Sequence, residues 1–163
     1  MEKAYIRRLE KNDYDDVCNL IENDDKPSFF SFDATYYTKD IFFHLINQME
    51  IAKRSMQYGI FHKDQLVGVV SLHDIDAKEK SGEYSIYLKP DYQHKGFASQ
   101  ATTFILTEAF ERMKLHHVYL RVDLNNETAI RFYERFGFVP CKSQGNKAEH
   151  GFLCYEMTED RLY

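Results

Sequence analysis

A chain of 163 residues with 44% hydrophobic and 29% charged residues has the size and composition of one soluble globular domain, which we predict to span residues 1–163. Its net charge of −5 at pH 7 argues against a nucleic-acid-binding protein, which is usually basic, and is compatible with a cationic substrate. The three cysteines lack the spacing of a metal site and no apolar segment is long enough to span a membrane, so we expect reduced thiols, a cytoplasmic location and no metal ion.

The first third of the chain predicts a short strand and two helices. Residues 4–9 form the strand, and Asn12 or Asp13 can cap the first helix. A second helix is predicted over about residues 35–54, because apolar residues recur there at every third or fourth position. Between the helices, residues 29–33 (FFSFD) form an aromatic stretch without an assigned structure. Its side chains suit core packing or, alternatively, contact with an amine.

Three strands follow, at about residues 57–62, 66–74 and 83–89. The middle one is mostly apolar and β-branched, which is typical of a buried strand. Because short turns join the three, we expect them to be antiparallel neighbours. Pro90 lacks an amide hydrogen and ends the third strand.

The turn after Pro90 has the composition of a phosphate-binding turn. It contains a glutamine, two basic residues and a glycine at the start of a helix, in the order Gln93, His94, Lys95, Gly96. A helix N-terminus offers unpaired N–H groups and a partial positive charge to an anion. An ordinary strand–turn–helix connection with a basic turn is the alternative.

The second half of the chain predicts a βαβ crossover and a closing hairpin. A helix over about residues 97–114 leads to a strand at 117–122, which is expected to pair in parallel with the strand at 83–89. Asn125 and Asn126 cap a short amphipathic helix that ends at Gly137. The hairpin then lies between residues 138 and 157.

The turn motif, followed by NETAI at residues 126–130 and FYERFGF at 132–138, resembles the acetyl-CoA-dependent N-acetyltransferases of the GNAT superfamily. The resemblance covers about residues 67–139. It extends more weakly, through IRRL at 6–9 and PDYQ at 90–93, to a branch containing spermidine acetyltransferases and ribosomal-protein N-terminal acetyltransferases.

This resemblance implies an α+β fold with a mixed, mostly antiparallel sheet of about six to seven strands and about four helices. The sheet is expected to splay beside the strand at 83–89. His94 stands where the family often has glycine, and a non-glycine residue fits there if its φ is negative.

The resemblance also implies how acetyl-CoA binds. The pantetheine arm pairs with the splayed strand, and the diphosphate meets the N–H groups of the turn. The cofactor-binding residues that it implies are Ile86, Tyr87, Leu88, Gln93, His94, Lys95, Gly96, Phe97, Ala98 and Asn126. For Asn126, a role as helix cap alone is the alternative.

Two residues are candidates for catalysis. Tyr133 occupies the family's general-acid position and would protonate the departing thiolate; its alternative role is core packing. Glu83 is the candidate base, or orders water molecules that remove the amine proton; its alternative is a solvated turn charge.

The predicted activity is acetyl transfer from acetyl-CoA by direct attack of a primary amine, with a small amine such as a polyamine as acceptor. A protein N-terminal or lysine acetyltransferase, whose acceptor is a peptide amine, and a non-catalytic acetyl-CoA-binding module remain open. Homo-oligomers are common for this fold and are a further possibility.

Overall fold

The computed structural model of the protein describes residues 2–22, 39–142 and 151–162. Its strands are β1 (Tyr5–Arg8), β2 (Met56–His62), β3 (Gln65–Asp76), β4 (Ser81–Leu88), β5 (His117–Asp123), β6 (Val139–Pro140) and β7 (Phe152–Thr158). These seven strands form one mixed sheet in the order β1-β2-β3-β4-β5-β7-β6. The predicted α+β fold with six to seven strands is therefore confirmed.

The described residues contain five α-helices, one more than the sequence predicts. They are α1 (Tyr14–Glu22), α2 (Lys39–Ile51), α3 (Phe97–Thr107), α4 (Glu127–Phe136) and α5 (Glu159–Leu162). The additional helix, α5, is a single turn directly after β7. The α-helical part of α3 is shorter than predicted because the chain widens into a π-helical turn at Glu108–Arg112. The aromatic stretch at 29–33 lies outside the described residues.

The sheet opens between β4 and β5. Strands β1 to β4 are consecutive antiparallel neighbours, and β5 pairs antiparallel with β7 along its whole length. In contrast, β4 and β5 pair in parallel only where Ser81–Glu83 meets His117–Tyr119. From Tyr84 onward β4 is bonded only to β3, so the predicted splay is confirmed.

Two apolar clusters pack against the two faces of the sheet. Because side chains alternate along a strand, neighbouring residues of β3 reach different clusters: Val70 packs with α3 and α4, and Val69 packs with α1 and α2. The same alternation on β4 places Tyr84 on the α3/α4 face and Glu83 on the opposite face. The clusters thus fix which side chains line each side of the opening.

A capping box begins the first helical segment, though not at the predicted position. Glu10 is the N-cap of a 3₁₀ turn, Lys11–Asp13, that continues into α1. The Asp13 carboxylate accepts the Glu10 amide at 2.6 Å and is also paired with both terminal nitrogens of Arg7, at 2.8 and 3.0 Å. Asp13, the third residue of the 3₁₀ turn, therefore stabilises the start of the helical segment. Its pairing with Arg7 also links this segment to β1.

The expectation of reduced thiols is wrong for two of the three cysteines. Cys141 and Cys154 form a disulfide, with Cα atoms 5.4 Å apart. They are cross-strand neighbours where the β6–β7 ladder continues, and the Cys141 amide donates to the Cys154 carbonyl at 3.1 Å. The sequence did not predict this disulfide, because the two cysteines come together only through the register of β6 against β7.

Candidate functional site

The unpaired edge of β4 forms one wall of the opening. The Lys89 amide bonds to the Val67 carbonyl on β3 at 2.9 Å. Since the main-chain groups of successive residues point to opposite edges of a strand, those of Ile86 and Leu88 point toward β5, from which β4 has separated. The main chain of Tyr87 points toward β3 instead. Of the three residues predicted to pair with a ligand strand, two have the required orientation.

The turn after β4 contains two residues in the left-handed conformation. His94 has φ of 61° and Gly96 has φ of 90°. The expectation of a negative φ at His94 is therefore wrong, although histidine is among the non-glycine residues enriched in this region. These residues turn the chain tightly so that α3 begins at Phe97, with the unbonded N–H groups of its first turn at the mouth of the opening.

Aromatic packing fixes the start of α3. Phe97 is fully buried, and its ring packs against the rings of Tyr92 and His62 with centroid distances of 5.8 and 5.3 Å. Lys95 remains exposed, with its ammonium group 5.8 Å from the centre of the Tyr92 ring. The turn thus has a rigid apolar base and a basic outer surface.

A single glutamine that the sequence analysis missed ties this turn to the N-terminal segment. The side-chain amide of Gln100 donates to the carbonyl oxygens of Gly96, at 3.1 Å, and Glu2, at 2.8 Å. Its side-chain oxygen accepts the Ala4 amide at 2.9 Å. Nothing in the local sequence distinguishes Gln100 from an ordinary exposed helix residue, because Ala4 and Glu2, which it joins to the turn, are 96 and 98 positions away.

Tyr133 lies on α4 and packs against the first residue of the splayed part of β4. Its ring meets Tyr84 edge-on with centroids 6.0 Å apart, and Phe138 lies at 5.6 Å. Burial raises the pKa of Tyr133 to about 12, so its phenol is neutral near pH 7. Among the residues that the structure describes, the Tyr133 hydroxyl has no hydrogen-bond partner, which leaves it able to donate to a ligand.

A hydrogen-bonded chain connects this part of β4 with the phosphate-binding turn. The hydroxyl groups of Tyr84 and Thr102 lie 2.7 Å apart, and Thr102 donates to the Ala98 carbonyl at 2.7 Å. Because Thr102 has a single hydroxyl hydrogen, the Tyr84 phenol is the donor to Thr102. The start of α3 is thereby held against β4.

The sequence signals at both ends of α4 are confirmed. The Asn126 side chain accepts the Ala129 amide at 3.2 Å, and Gly137 ends the helix with φ of 122°. The carboxamide oxygen of Asn126 is thus occupied by the cap, and its NH₂ group is the part available to a ligand.

Glu83 lies on the other side of β4, paired with Arg121. Its carboxylate oxygens are 3.0 and 3.2 Å from the guanidinium nitrogens, and the residue is only 6% exposed. Hydrogen bonding and charge from Glu83 raise the pKa of Arg121. Because Glu83 is buried and paired with Arg121, it is not a solvated charge in a turn.

Glu83 has two further polar neighbours on this face, His73 and Asp74. The His73 ring bonds to the Ser85 hydroxyl at 2.8 Å and lies 3.3 Å from the Asp74 carboxylate. Ligand atoms of His73, Asp74 and Glu83 all lie within 4.8 Å of one another, a spacing that suits a divalent cation. Glu83 is already bonded twice to Arg121, however, and a cation would have to compete with that pair.

A cavity of about 430 Å³ lies between the phosphate-binding turn and α4. It is lined by His94 from the turn and by Thr128, Arg131, Glu134 and Arg135 from α4. Of these residues, only His94 is predicted from the sequence to belong to the site. The signal for the others was the spacing of the two arginines, four residues apart on a helix beside the recognised motif.

No helix in residues 2–22, 39–142 and 151–162 combines the length and apolar character needed to cross a membrane.

Comparisons with known proteins identify the family of this chain and its relatives. The model of the acetyltransferase (GNAT) family matches residues 18–138. The chain is 31% identical over 150 residues to the spermidine N(1)-acetyltransferase of Vibrio cholerae, a match that covers 91% of this chain and 84% of the relative.

Two solved structures of spermidine N-acetyltransferase from Vibrio cholerae are similar to this chain at 25% sequence identity. One is a complex with CoA and spermine, with a TM-score of 0.80 and coverage of 98% of this chain and 97% of that chain. The other is dodecameric, with a TM-score of 0.79 and coverage of 96% and 94%.

Proposed function

Because this chain belongs to the acetyltransferase (GNAT) family, we propose that it transfers the acetyl group of acetyl-CoA to a primary amine of a polyamine such as spermidine. The main support is the opening between β4 and β5, where an unpaired strand edge, a helix N-terminus and the Tyr133 phenol adjoin one another. These are the groups that an extended amide chain, a diphosphate and a thiolate leaving group require.

The donor binds along the open edge of β4. The amide groups of its pantetheine arm pair with the main chain of Ile86, as an added strand would. The Leu88 carbonyl is occupied by the side-chain amide of Gln93, so Leu88 offers only its own amide to the donor. Its diphosphate accepts hydrogen bonds from N–H groups between Gln93 and Ala98, close to the N-terminus of α3. The Asn126 NH₂ group is positioned near the arm by its capping oxygen.

The acceptor approaches from the face that carries Glu83. Two buried carboxylates, Glu83 and Glu156, flank Tyr119 on adjacent strands, because Tyr119 is the cross-strand neighbour of both. Asp74 adds a third carboxylate beside Glu83. A polyamine carries several ammonium groups along a flexible chain, so carboxylates spread along this face suit it, although Arg121 offsets part of their charge and the His117 ring bonds to Glu156.

The chemistry removes two protons from the amine nitrogen and supplies one to the departing thiolate. A primary amine has a pKa near ~10 and must lose a proton before its nitrogen attacks the thioester carbonyl. Glu83, directly or through ordered water, accepts that proton. The Leu88 amide, on the open edge, donates to the developing oxyanion. When the carbon–sulfur bond breaks, the neutral Tyr133 phenol protonates the thiolate to give CoA. The nitrogen, which carries a positive charge after the attack, then loses its second proton through solvent, and this proton restores the phenol.

Self-association is part of the proposal. The Vibrio cholerae enzyme has been solved as a dodecamer. Among the strands that the structure describes, β1 lies at the edge of the sheet, where a second copy could pair with it. Light scattering after gel filtration measures the mass directly.

An acceptor panel tests the proposed activity. The protein is incubated with acetyl-CoA and, separately, spermidine, spermine or a short peptide with a free N-terminal amine, and products are identified by mass spectrometry. We expect a monoacetylated polyamine. Tyr133→Phe should abolish most of the turnover, whereas Tyr5→Phe, which removes the same hydroxyl group from an exposed tyrosine, should not.

The other outcomes separate the alternatives. Acetylated peptide without acetylated polyamine would make the chain a peptide acetyltransferase. Binding of acetyl-CoA with no product from any amine would favour a non-catalytic binding module.

A further inference from the structure

We propose that the cavity between the turn and α4 holds the 3′-phosphate of CoA, and that Arg131 and Arg135 make this chain discriminate CoA from its 3′-dephospho form. This inference rests on the proposed function, since it concerns the same donor. It assigns a specificity site, formed by the side chains of α4, in addition to the main-chain groups that bind the diphosphate.

The geometry of α4 brings the two arginines together. Arg131 and Arg135 are one helical turn apart and lie on one face, with Thr128 a turn earlier. All three line the cavity of about 430 Å³. A guanidinium group presents a planar set of donors that matches phosphate oxygens, and a threonine hydroxyl supplies a further donor.

The charge of the cavity suits an anion of more than one negative charge. Its lining contains the two guanidinium groups against the single carboxylate of Glu134, with His94 at the opposite wall. A phosphate monoester is mostly dianionic at pH 7, whereas each phosphate of a diphosphate diester carries one charge. The monoester therefore gains more from a pair of arginines.

The position of the cavity distinguishes the 3′-phosphate from the diphosphate. The diphosphate is served by the N–H groups of the turn and of the first turn of α3. His94 belongs to that turn and also lines the cavity, so the two sites adjoin. In CoA the 3′-phosphate is separated from the diphosphate by one ribose, which is the relationship that two adjoining anion sites require.

The competing explanation is a solvated helix face. Arg131 and Glu134 are three residues apart on α4, and Arg135 directly follows Glu134. All three side chains are exposed. Charged pairs at such spacings stabilise many surface helices and bind nothing. This explanation predicts that removal of the arginines affects CoA and dephospho-CoA equally.

Calorimetric titration of CoA and 3′-dephospho-CoA tests the inference without relying on turnover. The wild-type protein should bind CoA roughly 10- to 100-fold more tightly, because charge-assisted hydrogen bonds are lost with the phosphate. In the double variant Arg131→Gln/Arg135→Gln, the preference should fall below about threefold, while affinity for dephospho-CoA stays within about twofold of wild type.

Arg54→Gln is the matched control. It makes the same Arg-to-Gln change, once instead of twice, at an exposed residue at the opposite end of the sheet, where the Arg54 carbonyl accepts the Ile75 amide. It should leave the preference intact. Unchanged melting temperatures would show that the variants fold.

Three outcomes would overturn the inference. Equal binding of the two ligands by the wild type would exclude the 3′-phosphate site but would leave the proposal that acetyl-CoA is the donor intact. A preference that survives in the double variant would place the site elsewhere. If the wild-type protein bound neither ligand, the proposed function would fail with it.

Discussion

The side-chain amide of Gln93 donates a hydrogen bond of 3.1 Å to the backbone carbonyl oxygen of Leu88. This bond joins the phosphate-binding turn to the last residue of β4, and it occupies an acceptor at the end of the strand's open edge. Gln93 therefore contributes to the site by fixing the position of the turn, and the amide of Leu88 remains available to a ligand.

Removal of this bond should loosen donor binding. We expect Gln93→Ala to weaken CoA binding roughly 3- to 10-fold, the effect of one hydrogen bond on the alignment of the turn, with kcat changed less than about twofold. Titration calorimetry and steady-state kinetics measure the two effects. Gln48→Ala, on the exposed side of α2, is the control, and an unchanged CoA affinity in Gln93→Ala would exclude this role.

Tyr133→Phe should lower kcat about 100-fold or more while KM for acetyl-CoA stays nearly constant, because the lost phenol acts on the leaving thiolate. Since burial raises the pKa of Tyr133 to about 12, the phenol keeps its proton throughout the range in which the amine becomes neutral. The wild-type kcat should therefore rise with pH up to about 10. A fall in kcat near pH 9 caused by ionisation of Tyr133 would contradict this assignment.

Glu83→Gln should lower kcat/KM for spermidine roughly 10- to 100-fold and leave the affinity for CoA unchanged, because Glu83 lies on the acceptor side of β4. If Glu83 removes the proton, the loss should fall on kcat. If it only attracts the cation, KM for spermidine should rise and kcat should change little. Glu79→Gln, in the exposed β3–β4 turn, controls for the change in net charge.

The capping pair at the start of the chain predicts a pH-dependent stability. Burial by itself would raise the pKa of Asp13, but hydrogen bonds from the Arg7 guanidinium and the Glu10 amide outweigh it and leave the pKa lowered. A carboxyl group with a lowered folded-state pKa stabilises the fold above its unfolded-state value of about 4, and this stabilisation is lost as the pH falls through the folded-state pKa.

Asp13→Asn should therefore reduce the free energy of unfolding by about 1–2 kcal/mol at pH 7, and by less at pH 3. Urea denaturation at both pH values measures the difference. Asp64→Asn, in the exposed β2–β3 turn, should have little effect at either pH. An equal loss for Asp13→Asn at pH 7 and pH 3 would mean that its charge is not responsible.

The sequence predicted the fold well where a local signal matched the final structure. Apolar, β-branched runs separated by short turns identified β2 to β4, and the crossover through α3 identified the parallel pair. Asn126 and Gly137 marked both ends of α4 because caps depend on local geometry. The splay between β4 and β5 was predicted only from the family resemblance, because no local sequence pattern encodes it.

The features that the sequence did not predict depend on contacts between distant residues. The positive φ of His94 is imposed by the packing of the turn, and the bonds of Gln100 reach the other end of the chain. The disulfide follows from the register of β6 against β7. Arg131 and Arg135 became candidates only when the fold placed α4 beside the turn.

The most direct test of the central claim is a crystal structure of this protein with CoA bound. We expect the diphosphate to accept hydrogen bonds from main-chain N–H groups between Gln93 and Ala98, and the CoA sulfur to lie within hydrogen-bonding distance of the Tyr133 hydroxyl. A diphosphate bound away from this turn, or a sulfur atom separated from Tyr133 by other side chains, would contradict the mechanism.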